Sequence, residues 1–269
     1  DRELDMSPAI RKKKVMVIGG GIGGMEAARV LTIRGHEVSL YEKTDQLGGM
    51  FIAASAMIFK ESDKRLIRWY ERQMEKLPID VHMNTEVTDE IIREVDPDVI
   101  FQATGSRPRT LKLPGAENDY VMSAVEALNA PEKVKGRIVI IGGGLTGIEI
   151  AYDHAKNGED VTVIEEMDRV LNVDIAAANL LYLKEAVGYY GIKIVTGAAV
   201  SSLEDGRVTY SAGEEEKAVP ADTVIVSIGY DSTSPIHVEG KEVYTIGDAG
   251  RVSNLLGAVW SAYETAMNV

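Results

Sequence analysis

The chain has 269 residues, enough to bury one or two cores without covalent staples. Its 29 Lys and Arg against 42 Asp and Glu leave a net charge of −13, a surface that repels phosphate backbones and anionic headgroups and argues against nucleic acid as a partner. There is no cysteine, which excludes disulfides, thiolate metal sites, cysteine-ligated clusters and cysteine nucleophiles within the chain, so any redox chemistry must ride on a bound cofactor.

The opening stretch, DRELDMSPAIRKKK, has no apolar signal core, and no run of about 20 uncharged apolar residues occurs anywhere. Neither secretion nor a membrane span is expected, and a cytoplasmic location is. A start at Asp1 rather than methionine is expected of a processed chain or a piece of something longer. Val15–Ile18 then reads as an apolar strand, followed by the glycine turn Gly19 to Gly24, a helix to Arg34, Gly35, a strand Val38–Tyr41 and Glu42. Glu61 to Leu77 predicts a helix with Leu66, Tyr70, Met74 and Leu77 on one face, ended by Pro78. Short strands are expected around Val81 and at Asp98 to Ala103.

The first pattern then returns. Ile138–Ile141 leads into Gly142 to Gly147, a helix to Lys156, an Asn157-Gly158 turn, a strand Val161–Ile164 and Glu165. First glycine and acid are offset by the same 123 positions in the two copies. Continuous apolar strands alternating with helices require a parallel sheet covered on both faces, so each copy is one βαβ unit of an α/β fold. Beyond it a helix from Asp174 to Val187 should stop at Gly188. Ile192–Val195, Val200–Leu203, Arg207–Tyr210 and Thr223–Ile228 then read as a small antiparallel meander.

Each glycine turn is a G-x-G-x-x-G placed after a strand and opening a helix. Its first glycine turns the chain, its second admits a pyrophosphate against bare backbone, and its third lets helix meet strand. The free N–H groups of the helix start then hold phosphates. The pattern alone is weak, but strand, helix and strand-end acid are all present twice, so two dinucleotide sites are expected. Glu42 and Glu165 stand where a carboxylate accepts the hydroxyls of an adenosine ribose. At the second site Glu165, followed by Glu166, favours NADH, because a 2′-phosphate would meet like charge, while Arg169 nearby softens that preference. NADPH is the less expected cofactor.

Further motifs carry a family resemblance. KTDQLGG after Glu42, with Gly48-Gly49, resembles the FAD fingerprint of the two-dinucleotide-binding flavoproteins of glutathione-reductase-like fold. DVIFQATGSRP resembles that fold's ATG crossing at Ala103-Thr104-Gly105, Leu113-Pro114-Gly115 follows, and Thr245 to Ala249 resembles the motif whose aspartate holds the ribityl chain. The likeness covers nearly the whole chain. Within the fold, the run from Arg11 to Lys43, Lys60 after the double glycine, DVHMNTEVT and PDVIFQATGSRPR are most similar to the C-terminal half of the Old Yellow Enzyme-like NADH:flavin oxidoreductases, of the 2,4-dienoyl-CoA reductase, enoate reductase and trimethylamine dehydrogenase type.

The resemblance implies two Rossmann-like three-layer domains, the second inserted in the first: residues 1–112 plus 240–269 for FAD and 113–239 for NADH. It assigns Gly19, Gly21, Gly23 and Gly24 to the FAD pyrophosphate, Glu42 and Lys43 to the ribose end, Gly48 and Gly49 to the fingerprint loop and Val87 to the adenine. Ala103, Thr104 and Gly105 mark the crossing, and Gly247 and Asp248 the ribityl chain. For the nicotinamide nucleotide it assigns Gly142, Gly144, Leu145, Thr146 and Gly147 to the phosphate turn, Glu165 to the ribose, Glu149 to the nicotinamide amide and Gly229 to close passage beside backbone. Tyr230 to Glu242 is shorter than the family's segment, which leaves the support of the last strand in doubt.

The implied activity is FAD-dependent oxidation of NADH, with hydride passing from nicotinamide C4 to flavin N5 and no protein nucleophile or metal. The implied electron acceptor is a barrel domain carrying FMN and a 4Fe-4S cluster, absent from this sequence. The alternative is a module holding ADP or FAD without redox turnover, a structural part of a larger flavoenzyme. His36, His82, His154 and His237 show no metal-ligand spacing.

Overall fold

The computed structural model describes residues 6–173 and 175–269. They form two compact units, one of residues 6–55, 60–107 and 231–269 and one of residues 56–59 and 108–230. In chain order the first unit begins with β1 (Lys14–Ile18), α1 (Ile22–Ile33), β2 (Glu37–Tyr41), α2 (Met50–Ala54), α3 (Glu61–Lys76), β3 (Ile79–His82), α4 (Asp89–Val95) and β4 (Val99–Gln102). The strand β5 (Ser106–Pro108) leads out of it. The second unit holds β6 (Val121–Ser123), α5 (Ala124–Asn129), β7 (Ile138–Ile141), α6 (Leu145–Lys156), β8 (Val161–Ile164), α7 (Ala177–Tyr189), β9 (Lys193–Val195), β10 (Ala198–Ser202), β11 (Arg207–Ala212), β12 (Glu215–Pro220) and β13 (Thr223–Val226). The chain returns through β14 (Tyr230–Ser232) and completes the first unit with β15 (Glu242–Thr245) and α8 (Leu255–Met267).

The first sheet has the order β15-β4-β1-β2-β3, with every neighbouring pair parallel. Alternate residues of β1 serve opposite faces. Val15 and Val17 pack with Met25, Ala28 and Leu31 of α1, Tyr70 and Met74 of α3, and Ala262 and Ala266 of α8. Met16 and Ile18 face the other way, toward Ile92 of α4 and the half-buried Ile236 and Val238. On α3 the buried residues are Ile67, Tyr70 and Met74, so the apolar stripe is the expected one turned slightly toward Ile67.

The second sheet repeats the plan as β6-β13-β7-β8-β9, again all parallel. Ile138 and Ile140 of β7 face α5, α6 and α7 through Ala127, Ile148, Ala151 and Leu183. Val139 and Ile141 face the antiparallel ribbon β10-β11-β12 through Leu203, Val208 and Tyr210. One outer layer of this unit is thus a β-meander.

The meander differs in membership from the sequence expectation. Val224 and Ile225 of the Thr223 run are both wholly buried, one on each face, because β13 is a central strand of the parallel sheet. The Ile192–Val195 run likewise joins that sheet, as β9. The third meander strand is β12, EEKAVP, an exposed edge with no apolar alternation to announce it. The α7 helix runs through Gly188 and ends before Gly191, whose φ of +68° supplies the left-handed stop. Its expected start, Asp174, lies outside the described residues.

The unit boundaries also differ. Residues 231–239, expected in the inserted unit, belong to the first. The buried Gln102 side chain fixes them there, donating through Nε2 to the Ser234 carbonyl at 2.8 Å and accepting from the Ile236 N–H through Oε1 at 2.8 Å. Residues 108–112, expected in the first unit, belong to the second, where the Arg109 N–H donates to the Gly229 carbonyl at 3.0 Å. The last strand, whose support was in doubt, pairs with β4 and is followed by an Ile246 N–H to Gln102 carbonyl bond of 2.9 Å.

Candidate functional site

In each unit the strand order reverses beside the first strand, at β1/β4 and at β7/β13, and the glycine turn emerges from the carboxyl end of that strand. Such a switch point is where an open α/β sheet leaves a crevice. Gly19 has φ +110°, and a Cβ there would stand 2.4 Å from the Ala103 carbonyl oxygen. Gly142, with φ +106°, would meet the Ser227 carbonyl at 2.3 Å. A Cβ on Gly24 would lie 1.9 Å from the Gly19 oxygen, and one on Gly147 would lie 2.1 Å from the Gly142 oxygen. The first and last glycines therefore weld turn, helix and neighbouring strand together.

The middle position of each motif behaves oppositely. Around the Cβ positions of Gly21 and Gly144 there is no heavy atom within 4 Å. These residues are the N-caps of α1 and α6, neither helix start is capped by a side chain, and neither carries an acid in its first turn. Backbone N–H groups at such a start need an acceptor, and an anion lying over bare glycine supplies it. Leu145 and Thr146 open α6 and are half-buried, as is Glu149 one turn further on. The cradles thus fit a dinucleotide diphosphate in both units.

The two acids sit where the motif requires, and each is already engaged. Glu42, 6 % exposed, accepts the Gly20 N–H through Oε2 at 2.8 Å and both the N–H and the hydroxyl of Thr44 through Oε1 at 2.8 Å. Glu165 accepts the Gly143 N–H through Oε2 at 2.6 Å and the Met167 N–H through Oε1 at 2.8 Å. Each carboxylate is thus a latch that ties the glycine turn to the loop following the second strand. Gly20 and Gly143, whose N–H groups close these latches, are not singled out by the sequence reading. Their signal was the middle glycine of the three consecutive ones in both motifs, since a Cβ at Gly20 would be 2.6 Å from Leu47 Cδ2 and one at Gly143 2.5 Å from Val170 Cγ1.

Of the remaining first-unit residues, Gly48, Gly49, Ala103 and Gly247 lie against this motif. Gly48 donates its N–H to the Gly20 carbonyl at 2.9 Å, and the Gly49 Cβ position is 3.1 Å from Gly21 Cα, so the fingerprint loop lies along the cradle. Lys43 is exposed beside Glu42, and Val87 is half-buried against the cluster of Met16, Tyr41 and Ile92. At the crossing, the Thr104 hydroxyl meets that of Thr233 at 2.6 Å, and Gly105 has φ +72°. Gly247, with φ +58°, donates its N–H to Ser261 Oγ at 2.7 Å. Asp248 accepts the Ser253 N–H at 3.0 Å and the Ser106 hydroxyl at 3.3 Å. Burial pushes its carboxyl above the usual range, against the opposing pull of those two donors.

In the second unit Gly229 has φ +96° and accepts the Arg109 N–H. Among the described residues no cluster of three His, Asp or Glu side chains could hold a metal ion. Three of the four histidines have ordinary partners: His36 Nδ1 accepts the Lys13 N–H, His82 meets Asp80, and His154 meets Glu159. No helix among the described residues is long and apolar enough to cross a membrane.

The family model described as pyridine nucleotide-disulphide oxidoreductase matches residues 13–252. The cinnamate reductase of Clostridium sporogenes is 36% identical over 275 residues, covering 100% of this chain and 41% of its own length. The NADH oxidase of Thermoanaerobacter brockii is 32% identical over 278 residues, covering 99% of this chain and 42% of its own. Among solved structures, a 2-naphthoyl-CoA reductase in complex with 2-naphthoyl-CoA superposes with a TM-score of 0.91 at 32% identity, over 100% of this chain and 42% of that one. The chain therefore spans about two-fifths of the length of the relatives it matches.

Proposed function

The chain belongs to the pyridine nucleotide-disulphide oxidoreductase family, whose members use FAD and NAD(P)H, and from that premise we propose that it is the FAD-dependent NADH-oxidising module of a longer reductase. The observation that carries this reading is the pair of open glycine cradles, each latched by a carboxylate at the same offset in its own unit. The family's name includes a disulphide, but a chain without cysteine has none to offer. With both dinucleotides bound, the chemistry supplied is hydride transfer from a dihydronicotinamide to a flavin.

The residues would divide the work as follows. Gly19, Gly21, Gly23 and Gly24 would bare the start of α1 to the FAD diphosphate, with Glu42 toward its ribose, Lys43 beside it and the Gly48-Gly49 loop alongside. Val87 would meet the adenine through backbone. Ala103, Thr104 and Gly105 would form the wall of the crossing, and Gly247 and Asp248 would hold the ribityl chain. Gly142, Gly144, Leu145, Thr146 and Gly147 would bare the start of α6 to the second diphosphate, with Glu165 on the ribose, Glu149 toward the nicotinamide amide and Gly229 giving room beside the strand end.

NADH is preferred over NADPH in this reading because a carboxylate at Glu165 repels a 2′-phosphate, and a relative named NADH oxidase supports the same choice. The electron acceptor is proposed to be a barrel domain with FMN and a 4Fe-4S cluster in the remainder of the longer protein, the relatives being more than twice this length.

Anaerobic titration of the purified protein tests the proposal. A flavin absorbance band that bleaches with NADH, and more slowly with NADPH, is the expected result. A colourless protein that releases only ADP on denaturation would instead mark a non-redox nucleotide-holding module.

A further inference from the structure

The two latches are alike in every backbone bond and differ at one repeat-related position. Thr44 and Met167 stand at the same 123-residue offset as the acids, and each gives its N–H to Oε1 of its carboxylate at 2.8 Å. Thr44 adds its hydroxyl to the same oxygen at 2.8 Å. That hydroxyl is also 3.0 Å from the Gln46 carbonyl, but a charged acceptor at the shorter distance takes the proton. Met167 has no side-chain donor. Its sulfur accepts Asn172 Nδ2–H at 3.7 Å and its carbonyl accepts the Gly197 N–H at 2.8 Å, so the residue is held on both sides while its N–H points at Glu165.

An ionised carboxylate has about four acceptor positions, two on each oxygen. At Glu42, Gly20 fills one and Thr44 fills two, leaving one on Oε2. At Glu165, Gly143 fills one on Oε2 and Met167 one on Oε1, leaving one on each oxygen. A vicinal diol presents two adjacent hydroxyl donors, which matches one open position on each of two carboxylate oxygens. Glu165 is also half-buried, where Glu42 is almost closed off.

We infer that Met167 is a specificity-determining residue of the second unit: by supplying an N–H and no hydroxyl, it leaves Glu165 able to accept both hydroxyls of an adenosine ribose at once. Thr44 leaves Glu42 able to accept one. The inference rests on the reading of the second unit as the pyridine-nucleotide site. It makes that unit the stricter reader of an intact ribose, which suits a site where the nucleotide comes and goes among similar solutes, while the first unit grips a resident cofactor mainly through its diphosphate.

The test is calorimetric binding of ADP-ribose, and of its two analogues lacking the 2′- or the 3′-hydroxyl on the adenosine ribose, to the FAD-saturated protein. Loss of a hydrogen bond to a charged acceptor should weaken each analogue about tenfold in the wild type. Met167→Thr and Met167→Ser place a hydroxyl beside Oε1, leave Glu165 one open position and should shrink one of the two ratios toward one, whereas Met167→Val, of similar bulk to threonine and without a donor, should keep both. Both ratios unchanged in hydroxyl-bearing variants that melt like the wild type would overturn the inference. Absence of any ADP-ribose binding by the wild-type protein would overturn the reading of the second unit itself, and is a separate outcome. The ratio of two ligands on one protein does not move with a merely structural role.

Discussion

Asp248 illustrates how a single carboxyl couples site and stability. Its folded-state pKa is raised by burial, so the folded protein holds the proton more tightly than the unfolded chain does. The stability this contributes is complete below the ordinary carboxylate pKa and is lost as pH rises through the raised value. Asp248→Asn removes the titration. Its apoprotein should therefore melt higher than the wild type at pH 7 and close to it at pH 3, the melting temperatures across that range being the measurement. A variant that melted lower at pH 7 would mean that the Ser253 and Ser106 hydrogen bonds outweigh the cost of burying the charge. At this scale much of the site was legible in the sequence. The cradle glycines and both acids stand out as candidates because their letters recur at fixed spacing. The latch donors do not: the glycine runs mark Gly20 and Gly143 only as crowded positions, and a backbone N–H is common to nearly every residue, so no letter, Met167 included, says which amide will meet a carboxylate.

Among the elements, strands buried on both faces and helices with one apolar stripe were legible, and short or exposed pieces were not. β12 carries three charged residues and stands at the edge of its ribbon, so its pairing is written in backbone hydrogen bonds. α4 and α5 are too short for a period of 3.6 to declare itself, yet each has a local signature at its start. Thr88 caps α4, and Ser123 caps α5 in a reciprocal box, accepting from the Glu126 N–H at 3.2 Å while Glu126 accepts the Ser123 N–H at 2.7 Å. The Glu126 carboxyl is accordingly held below its usual range by the Ser123 N–H and hydroxyl. Ser123→Ala should cost about 1 kcal/mol of stability, within the range of 0.5–2 kcal/mol usual for lost caps, measured by urea unfolding with an unchanged slope. Ser123→Gly should cost less, since glycine is tolerated at a cap.

At the scale of the whole molecule, the sequence disclosed the duplication and the insertion but misplaced its edges. No composition shift marks them; residues 231–239 are assigned by where the Gln102 side chain finds its partners, a fact that only the folded chain records. The two crossings, β5 and β14, are paired with each other. Gly105 accepts the Thr233 N–H at 3.1 Å and Gly229 accepts the Arg109 N–H at 3.0 Å, a register that runs antiparallel. Replacing residues 109–229 with a two-residue Asn-Gly turn should therefore close a hairpin and leave a chain that still binds FAD and no longer responds to NADH. Flavin content after gel filtration and bleaching by NADH would measure the two properties, and a product that failed to bind FAD while the intact chain did so would show that the first unit depends on the second. Chain topology here works like a parenthesis: the polypeptide opens and closes the main stretch of the second unit at neighbouring points. A gene could thus exchange residues 109–229 as one cassette, residues 56–59 being the other stretch of that unit and lying within the sequence of the first.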